Sequence, residues 1–208
     1  MTRGRILIVY GTRYGQTARI AARIRHGLVE RAYDVTLVQG DDLPRDLCPS
    51  QYDATVIGAS MVVGHYQKYI RTFVRRHVWV LNRIPTAFFA VSGAAGSSNP
   101  LDREEAHHRM EEFCKEAGWH PQLQLSVAGA IAYTRYDVVT RWFMKRISRK
   151  EGGSTDTSRD HEYTDWAQVD QFADRFADRM DEWTRRNQVE PRAATVGAAP
   201  AERHLSLM

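Results

Sequence analysis

Short apolar runs alternate with longer amphipathic segments along this chain, and that alternation constrains the fold more than any other feature. Apolar runs typical of buried strands occupy residues 5–10, 35–38, 54–59 and 86–91, and residues 122–129 alternate weakly, as a fifth strand would. Segments with helical patterning fill the intervals at 16–31, 67–79 and 103–117, and a fourth lies at 166 to about 183. Strands that alternate with helices predict a doubly wound α/β domain, with a parallel sheet covered on both faces.

The helical segments carry single apolar stripes, as expected of helices that pack on a sheet. In the first, Ile20, Ile24 and Leu28 recur every four residues, with Ala21 beside them. In the last, the stripe consists of Val169, Phe172, Phe176 and Met180, and either Thr164 or Asp165 can cap the helix. Both segments are therefore predicted to bury one face.

The chain is expected to form one domain over residues 1–184, with an insertion at about 133–165 and a disordered tail at 185–208. A doubly wound domain needs only about 2–6 residues between a strand and the next helix. The insertion is far longer, so it is either disordered or functional. The tail has two prolines and little periodicity, which favours disorder.

Charge and composition narrow the environment of the protein. The formal net charge is +4 and the pI about 9.2, which favours anionic partners, although a slightly arginine-rich solvated surface would look the same. No apolar run has the length of a bilayer-spanning helix or of a signal peptide, so the cytoplasm is the expected location. The cysteines, Cys48 and Cys114, form no metal-binding or disulfide pattern, so no metal site is expected.

The junction after the first strand is suited to hold a phosphate. It comprises Gly11 and the segment Thr12, Arg13, Tyr14, Gly15, Gln16 and Thr17. Backbone N–H groups at a helix N-terminus and the helix dipole attract anions, and the threonine hydroxyls add donors. The pattern is neither a dinucleotide fingerprint nor a P-loop. An ordinary strand–helix turn with a capping threonine remains the alternative on local sequence alone.

Residues 12–17 resemble the phosphate loop of flavodoxins, which wraps the phosphate of FMN. That resemblance implies FMN as cofactor and a five-stranded parallel sheet of order 2-1-3-4-5, with FMN at the switch point between strands one and three. The loops after the third and fourth strands should then contact the flavin ring. Their candidate residues are Ala59, Ser60, Met61, Gly64, His65 and Tyr66, followed by Ser92, Gly93 and Ala94.

Two of these candidates have alternatives that the sequence leaves open. Histidine is the side chain most often used as an acid or base in catalysis, so His65 is a candidate for that role, or else a structural histidine at a helix start. Tyr66 either stacks on the flavin or packs in the core. No residue is an obvious general base, and flavin chemistry does not require one.

A narrower resemblance comes from motifs spread along the chain. Five motifs are similar to those of the menaquinone-dependent protoporphyrinogen IX dehydrogenases of haem synthesis, and they occur in the same order along the chain. They are residues 58–66, Ala128–Gly–Ala130, Tyr133–x–Arg–Tyr136, 152–156 and 163–166. The resemblance covers residues 6–177. It implies FMN-dependent oxidation of protoporphyrinogen IX to protoporphyrin IX, with electrons passed to menaquinone or ubiquinone, and a peripheral place on the inner face of the cell membrane.

The insertion carries a basic segment at 134–150 that suits this role. Apolar residues recur there at helical spacing among basic ones, as in helices that bind acidic lipids or an apolar substrate with carboxylates. The candidate substrate or membrane residues are Arg135, Tyr136, Arg141, Trp142, Lys145 and Arg146. A surface helix that packs its aromatic side chains onto the domain is the alternative.

Three other functions fit parts of the pattern. A non-catalytic FMN electron carrier would tend to be acidic, whereas this chain is basic. A quinone reductase fed by NAD(P)H would need a dinucleotide site, for which no fingerprint appears. A flavin-free binding module would stay colourless when FMN is added. No nucleic-acid partner is expected.

Overall fold

A computed structural model describes residues 2–62, 64–131 and 161–189 of the 208-residue chain. Its main sheet contains five parallel strands: β1 (Arg5–Gly11), β2 (Asp34–Gln39), β3 (Ala54–Val62), β5 (Thr86–Ser92) and β6 (Leu123–Ala128). Their spatial order is β2-β1-β3-β5-β6, which confirms the predicted order 2-1-3-4-5 once the main strands are counted in sequence. A short strand, β4 (His65–Tyr66), folds back antiparallel onto the end of β3.

The helices cover the two faces of the sheet in pairs. They are α1 (Gln16–Glu30), α2 (Lys68–Leu81), α3 (Pro100–Ala117) and α4 (Trp166–Val189). The predicted stripes of α1 and α4 are buried in one core cluster, on one face of the sheet. Residues of α2 and α3 form the second cluster on the other face, around Phe88 and Trp119. The doubly wound architecture is thereby confirmed.

Glycine makes the centre of the sheet possible at one position. A Cβ atom on Gly58 in β3 would stand 2.0 Å from Cζ of Phe89 in β5, its partner across the ladder. Phe89 is fully buried and meets the ring of Phe172 from α4 edge-on, with ring centroids 6.3 Å apart. The Phe89 ring can therefore lie over residue 58 because glycine has no side chain there.

Several boundaries differ from the sequence predictions. Helix α3 begins at Pro100 rather than residue 103, because the side chain of Asn99 caps it by accepting a hydrogen bond from the Leu101 amide at 3.1 Å. Helix α4 continues to Val189, so residues 185–189, predicted as part of the tail, are helical. The remaining tail residues, 190–208, lie outside the described part of the chain. In the ranges described, no helix is long and apolar enough to cross a membrane.

A two-stranded antiparallel ribbon flanks the residues predicted to form the insertion. Strand β7 (Ala130–Ile131) pairs with β8 (His161–Glu162), directly after the last strand of the main sheet. Residues 132–160, which include the basic segment, are outside the described ranges. The ribbon therefore fixes where the insertion leaves the domain and where it returns.

Candidate functional site

The carboxyl ends of four parallel strands meet at one edge of the sheet, and the predicted loops leave from that edge. In the ladder, Gly11 stands opposite Ala59, Ser60 opposite Val91, and Ser92 opposite Ala128. Hydrogen-bonded strands lie about 4.8 Å apart. The phosphate loop, the loop after β3 and the loop after β5 are therefore neighbours, as a shared flavin site requires.

The phosphate loop ends at a helix start whose amides have no capping side chain. Gly15 occupies the N-cap position with φ 95°, in the left-handed region that favours glycine. Its N–H donates to Oγ1 of Thr12 at 2.9 Å, which closes the turn. No acidic residue lies in the first turn of α1, and within the described part of the chain no side-chain hydrogen bond caps this helix. The local field at this turn is therefore positive and suits an anion.

Thr17 carries a polar atom that nothing in the described residues satisfies. The residue is 1% exposed in the first turn of α1, and its Oγ1 has no hydrogen-bond partner in the described ranges. A buried hydroxyl without a partner is costly, and such groups are rare in folded proteins. A phosphate oxygen at the turn would supply the missing partner. The structure thus offers a specific reason for an anionic ligand here.

Gln67 links the phosphate loop to the loop after β3. Its Nε2 donates to Oγ of Ser60, and its side chain lies over Gly11. A Cβ atom on Gly11 would stand 2.7 Å from Oε1 of Gln67, and that oxygen is itself buried without a partner in the described chain. Sequence analysis did not identify Gln67. The glycine at the strand end, which must leave room for a side chain above it, was the available signal.

The loop after β3 is a tight hairpin rather than an open loop. Met61 pairs with Tyr66, and Val62 with His65, around Gly64, whose φ of 76° favours glycine. The side chain of His65 is exposed at the hairpin, at the predicted edge of the sheet. Ala59, by contrast, is fully buried in the sheet.

Tyr66 points into the core. It is 8% exposed, and its ring centroid lies 4.9 Å from that of Phe113 and 5.7 Å from that of Phe88. Burial raises the pKa of its hydroxyl well above the ordinary value. Of the two alternatives that the sequence left open, packing in the core accounts for the position of this ring. Aromatic neighbours on α3 were not visible from local sequence.

The loop after β5 folds into one short turn. Oγ of Ser92 accepts the amide of Ala95 at 3.1 Å, and residues Ala94–Gly96 form a single 3₁₀ turn. Gly93 is exposed at the start of this turn. A Cβ on Gly96 would stand 2.8 Å from Cβ of Ala128, so the turn lies directly against the end of β6. Small residues therefore line this side of the candidate site.

Thr164, first considered as a helix cap, instead connects the insertion to the phosphate loop. Its Oγ1 donates to the Ala128 carbonyl at 2.8 Å and accepts from Nε2 of Gln16 at 2.8 Å. Asp165 is the actual cap of α4, accepting the amides of Ala167 and Gln168. The base of the insertion therefore lies beside the first turn of α1.

Tyr69 is a further residue at the site that the sequence analysis missed. The half-buried ring lies against Gly40, where a Cβ would stand 2.9 Å from Cδ2 of the tyrosine. Burial raises the pKa of its hydroxyl, and hydrogen bonding to the Thr12 backbone partly offsets that shift. The α2 residue Tyr69 therefore supports the phosphate loop from the side of β2.

The other predicted residues fall into two groups. Arg13 is exposed, with its guanidinium 5.8 Å from the ring centroid of Tyr14, so it lies on the outside of the phosphate loop. The predicted substrate or membrane residues all lie outside the described ranges: Arg135, Tyr136, Arg141, Trp142, Lys145 and Arg146. Their roles stay predictions from the sequence.

Solved structures with a similar backbone agree with the fold. Flavodoxin 1 from Bacillus cereus superposes with a TM-score of 0.52 at 17% identity, covering 84% of this chain and 97% of that one. A flavodoxin from the domain Archaea gives a TM-score of 0.51 at 16% identity, covering 85% and 99%. At these identities the likeness supports the fold alone.

Sequence relatives are more specific. A family profile described as a flavodoxin domain matches residues 7–158. A protein of Escherichia coli K12 named protoporphyrinogen IX dehydrogenase [quinone] is 36% identical over 181 residues, which cover 86% of this chain and 97% of the relative. A protein of the same name from Leishmania major is 32% identical over 177 residues, covering 82% and 74%. The chain belongs to the flavodoxin-like protoporphyrinogen IX dehydrogenase family.

Proposed function

We propose that this protein oxidises protoporphyrinogen IX to protoporphyrin IX with bound FMN and passes the electrons to a respiratory quinone. The observation that carries the proposal is the 36% identity that extends over nearly the whole length of a relative with that name. The alternatives of an electron carrier or a differently fed quinone reductase have no comparable support.

The residues of the candidate site suit FMN. The first-turn amides of α1 and the unpartnered hydroxyl of Thr17 would hold its phosphate. The hairpin around Gly64 and the turn after Ser92 would border the ring from two sides. When bound, FMN supplies two-electron redox chemistry, and the protein supplies orientation and electrostatics.

The chain's own residues have positioning roles in this reaction. Gln67 holds Ser60 and lies over Gly11, so it keeps the phosphate loop and the ring loop in register. Thr164 is hydrogen-bonded to Gln16 and to the end of β6, so it keeps the base of the insertion beside the candidate site. Rigid supports of this kind matter because a displacement of about 1 Å at a reacting centre can cost about a hundredfold in rate.

The overall reaction removes six electrons and six protons from one porphyrinogen. It therefore takes three two-electron rounds, each reducing one quinone to a quinol. His65, exposed at the hairpin, is proposed only as a candidate to move a proton during these rounds. The basic segment 134–150 is proposed to receive the substrate's carboxylates, on sequence grounds alone.

The test follows protoporphyrin fluorescence with a soluble menaquinone analogue as acceptor. We expect fluorescence to rise well above a control with free FMN, and Thr12→Ala/Thr17→Ala to lower the rate by weakening FMN binding by about 1–3 kcal/mol. Deletion of residues 134–150 should abolish oxidation and leave the bound flavin's absorption. No rise above the free-flavin control would reject the proposed reaction.

A further inference from the structure

The outward side of α2 concentrates positive charge around an exposed tryptophan. We name it the α2 basic face, and it consists of Lys68, Arg75, Arg76 and Trp79, with Arg83 just beyond the helix end. At about 100° per residue these positions fall within one stripe, with Trp79 near its middle. All five are exposed, and Trp79 is 68% exposed, the largest value of any described aromatic residue.

No acidic residue balances this charge locally. From residue 54 to residue 101 the sequence contains five lysines and arginines and no aspartate or glutamate. Arg71 on the flank of α2 reaches Glu116 of α3 at 3.7 Å. For the five residues of the face, no ion pair with any part of the described chain is found. Their charge is therefore available to an external anion.

Trp79 differs from the chain's buried tryptophan in a way that indicates an interface. Trp119 is 1% exposed, and its Nε1 donates to Oγ1 of Thr86 at 3.1 Å. Trp79 instead lies in the open, with the guanidinium of Arg83 3.4 Å from its ring centroid. Tryptophan flanked by arginine or lysine is enriched where a protein meets lipid headgroups, because the ring is apolar and its N–H is polar.

We propose that the α2 basic face binds the surface of a membrane that contains anionic lipid. Between Lys68 and Trp79 the stripe runs for about 16 Å along the helix, so a flat surface can contact all of it. The arginines would lie among lipid phosphates, and the tryptophan at the level of the headgroups. An acidic protein would satisfy the charge equally well but would not require the exposed ring.

Orientation adds a reason for this side of the molecule. Helix α2 begins directly after the β3–β4 hairpin, so the Lys68 end of the α2 basic face lies close to the hairpin that borders the candidate site. On the opposite face of the sheet, several arginines are paired with carboxylates, such as Arg23 with Asp170 at 2.7 Å and Arg31 with Asp178. The inference rests on the proposed function in that a quinone acceptor resides in the membrane.

The test measures binding to vesicles without substrate or quinone. The FMN-loaded full chain is sedimented with vesicles of phosphatidylcholine and phosphatidylglycerol at about 3:1, and with phosphatidylcholine alone. We expect binding to the anionic vesicles, weakened by salt, and little binding to the neutral ones. Arg75→Glu/Arg76→Glu should weaken partition by about tenfold or more. The matched control is Arg175→Glu/Arg179→Glu, two exposed arginines on α4, and should bind as the wild type does.

A second readout locates the tryptophan. Lipids with a brominated chain should quench part of the protein's fluorescence, and Trp79→Phe should remove most of that quenching. Absence of vesicle binding, or equal loss in the α2 variant and the α4 control, would overturn the inference, as would unchanged binding of the α2 variant. Vesicle binding without porphyrinogen oxidation would reject the proposed reaction and leave this surface standing.

Discussion

Replacing Thr17 with valine should change protein stability and cofactor affinity in opposite directions. Valine has nearly the shape of threonine and similar helix propensity, so packing in the first turn of α1 is kept. In the protein without FMN, the change removes a buried hydroxyl that has no partner in the described chain. Because such a group costs about 1–3 kcal/mol, the variant should be more stable by up to that amount.

The effect of Thr17→Val on FMN binding should be unfavourable. A hydrogen bond to a charged group contributes about 1.5–3 kcal/mol, so its loss should weaken FMN binding by about 10- to 100-fold. In a chain of this length, 1 kcal/mol corresponds to about 2–4 °C in melting temperature. Thermal melts of the flavin-free protein and a titration of FMN by flavin fluorescence give the two quantities.

Two control variants separate the ligand from the packing. Thr55 also has a fully buried hydroxyl with no partner in the described residues, but it lies at the start of β3, at the other edge of the sheet. Thr55→Val should therefore raise stability without changing FMN affinity, and Thr17→Ser should keep affinity close to the wild type. The reasoning is refuted if Thr17→Val destabilises the flavin-free protein, or if it binds FMN within twofold of the wild type.

Two further predictions concern the packing of the sheet at Gly58 and the ion pair between Arg23 of α1 and Asp170 of α4. Gly58→Ala should destabilise the protein by about 1–3 kcal/mol in urea unfolding, because its Cβ would overlap the Phe89 ring. Adding Phe89→Leu to the Gly58→Ala variant should recover part of the lost stability. Equal stability of Gly58→Ala and the wild type would contradict the contact. Hydrogen bonds from Arg23 hold the pKa of Asp170 below its ordinary value, so this pair's contribution to stability is present above pH about 4 and is lost as the pH falls through the lowered pKa. Asp170→Asn should therefore be less stable than wild type at pH 7, with the difference shrinking in unfolding curves at lower pH; a difference that grows on acidification would be inconsistent with this pair.

Much of the fold was predictable because period and burial are local signals. The stripe of α1 recurs every four residues and is fully buried, and the strands read as continuous apolar runs because a parallel sheet is covered on both sides. Helix ends were less predictable. The start of α3 depends on the Asn99 side chain, and the end of α4 extends into residues whose polarity resembles that of a tail.

The candidate site was predictable as a set of loops but not as a set of contacts. Glycine and threonine at the first strand–helix junction are suited to an anion site, although an ordinary capped turn has the same residue types. The roles of Gln67 and Thr164 depend on partners 7 and 148 residues away, which no local pattern encodes. Tyr66 shows the same limit, because its ring packs inward against Phe113 of α3, which follows it by more than forty residues in the sequence.

The ribbon of β7 and β8 has a consequence for how such a domain changes over time. Residues 131 and 161 are paired in the ladder, so the segment that joins them leaves and re-enters the domain at neighbouring positions. Closing a longer connection adds only about 0.6 kcal/mol for each doubling of its length. We therefore expect the sheet and phosphate loop to stay intact when this segment is mutated, lengthened or replaced. Replacement of this one segment is then a route by which related domains acquire new substrates.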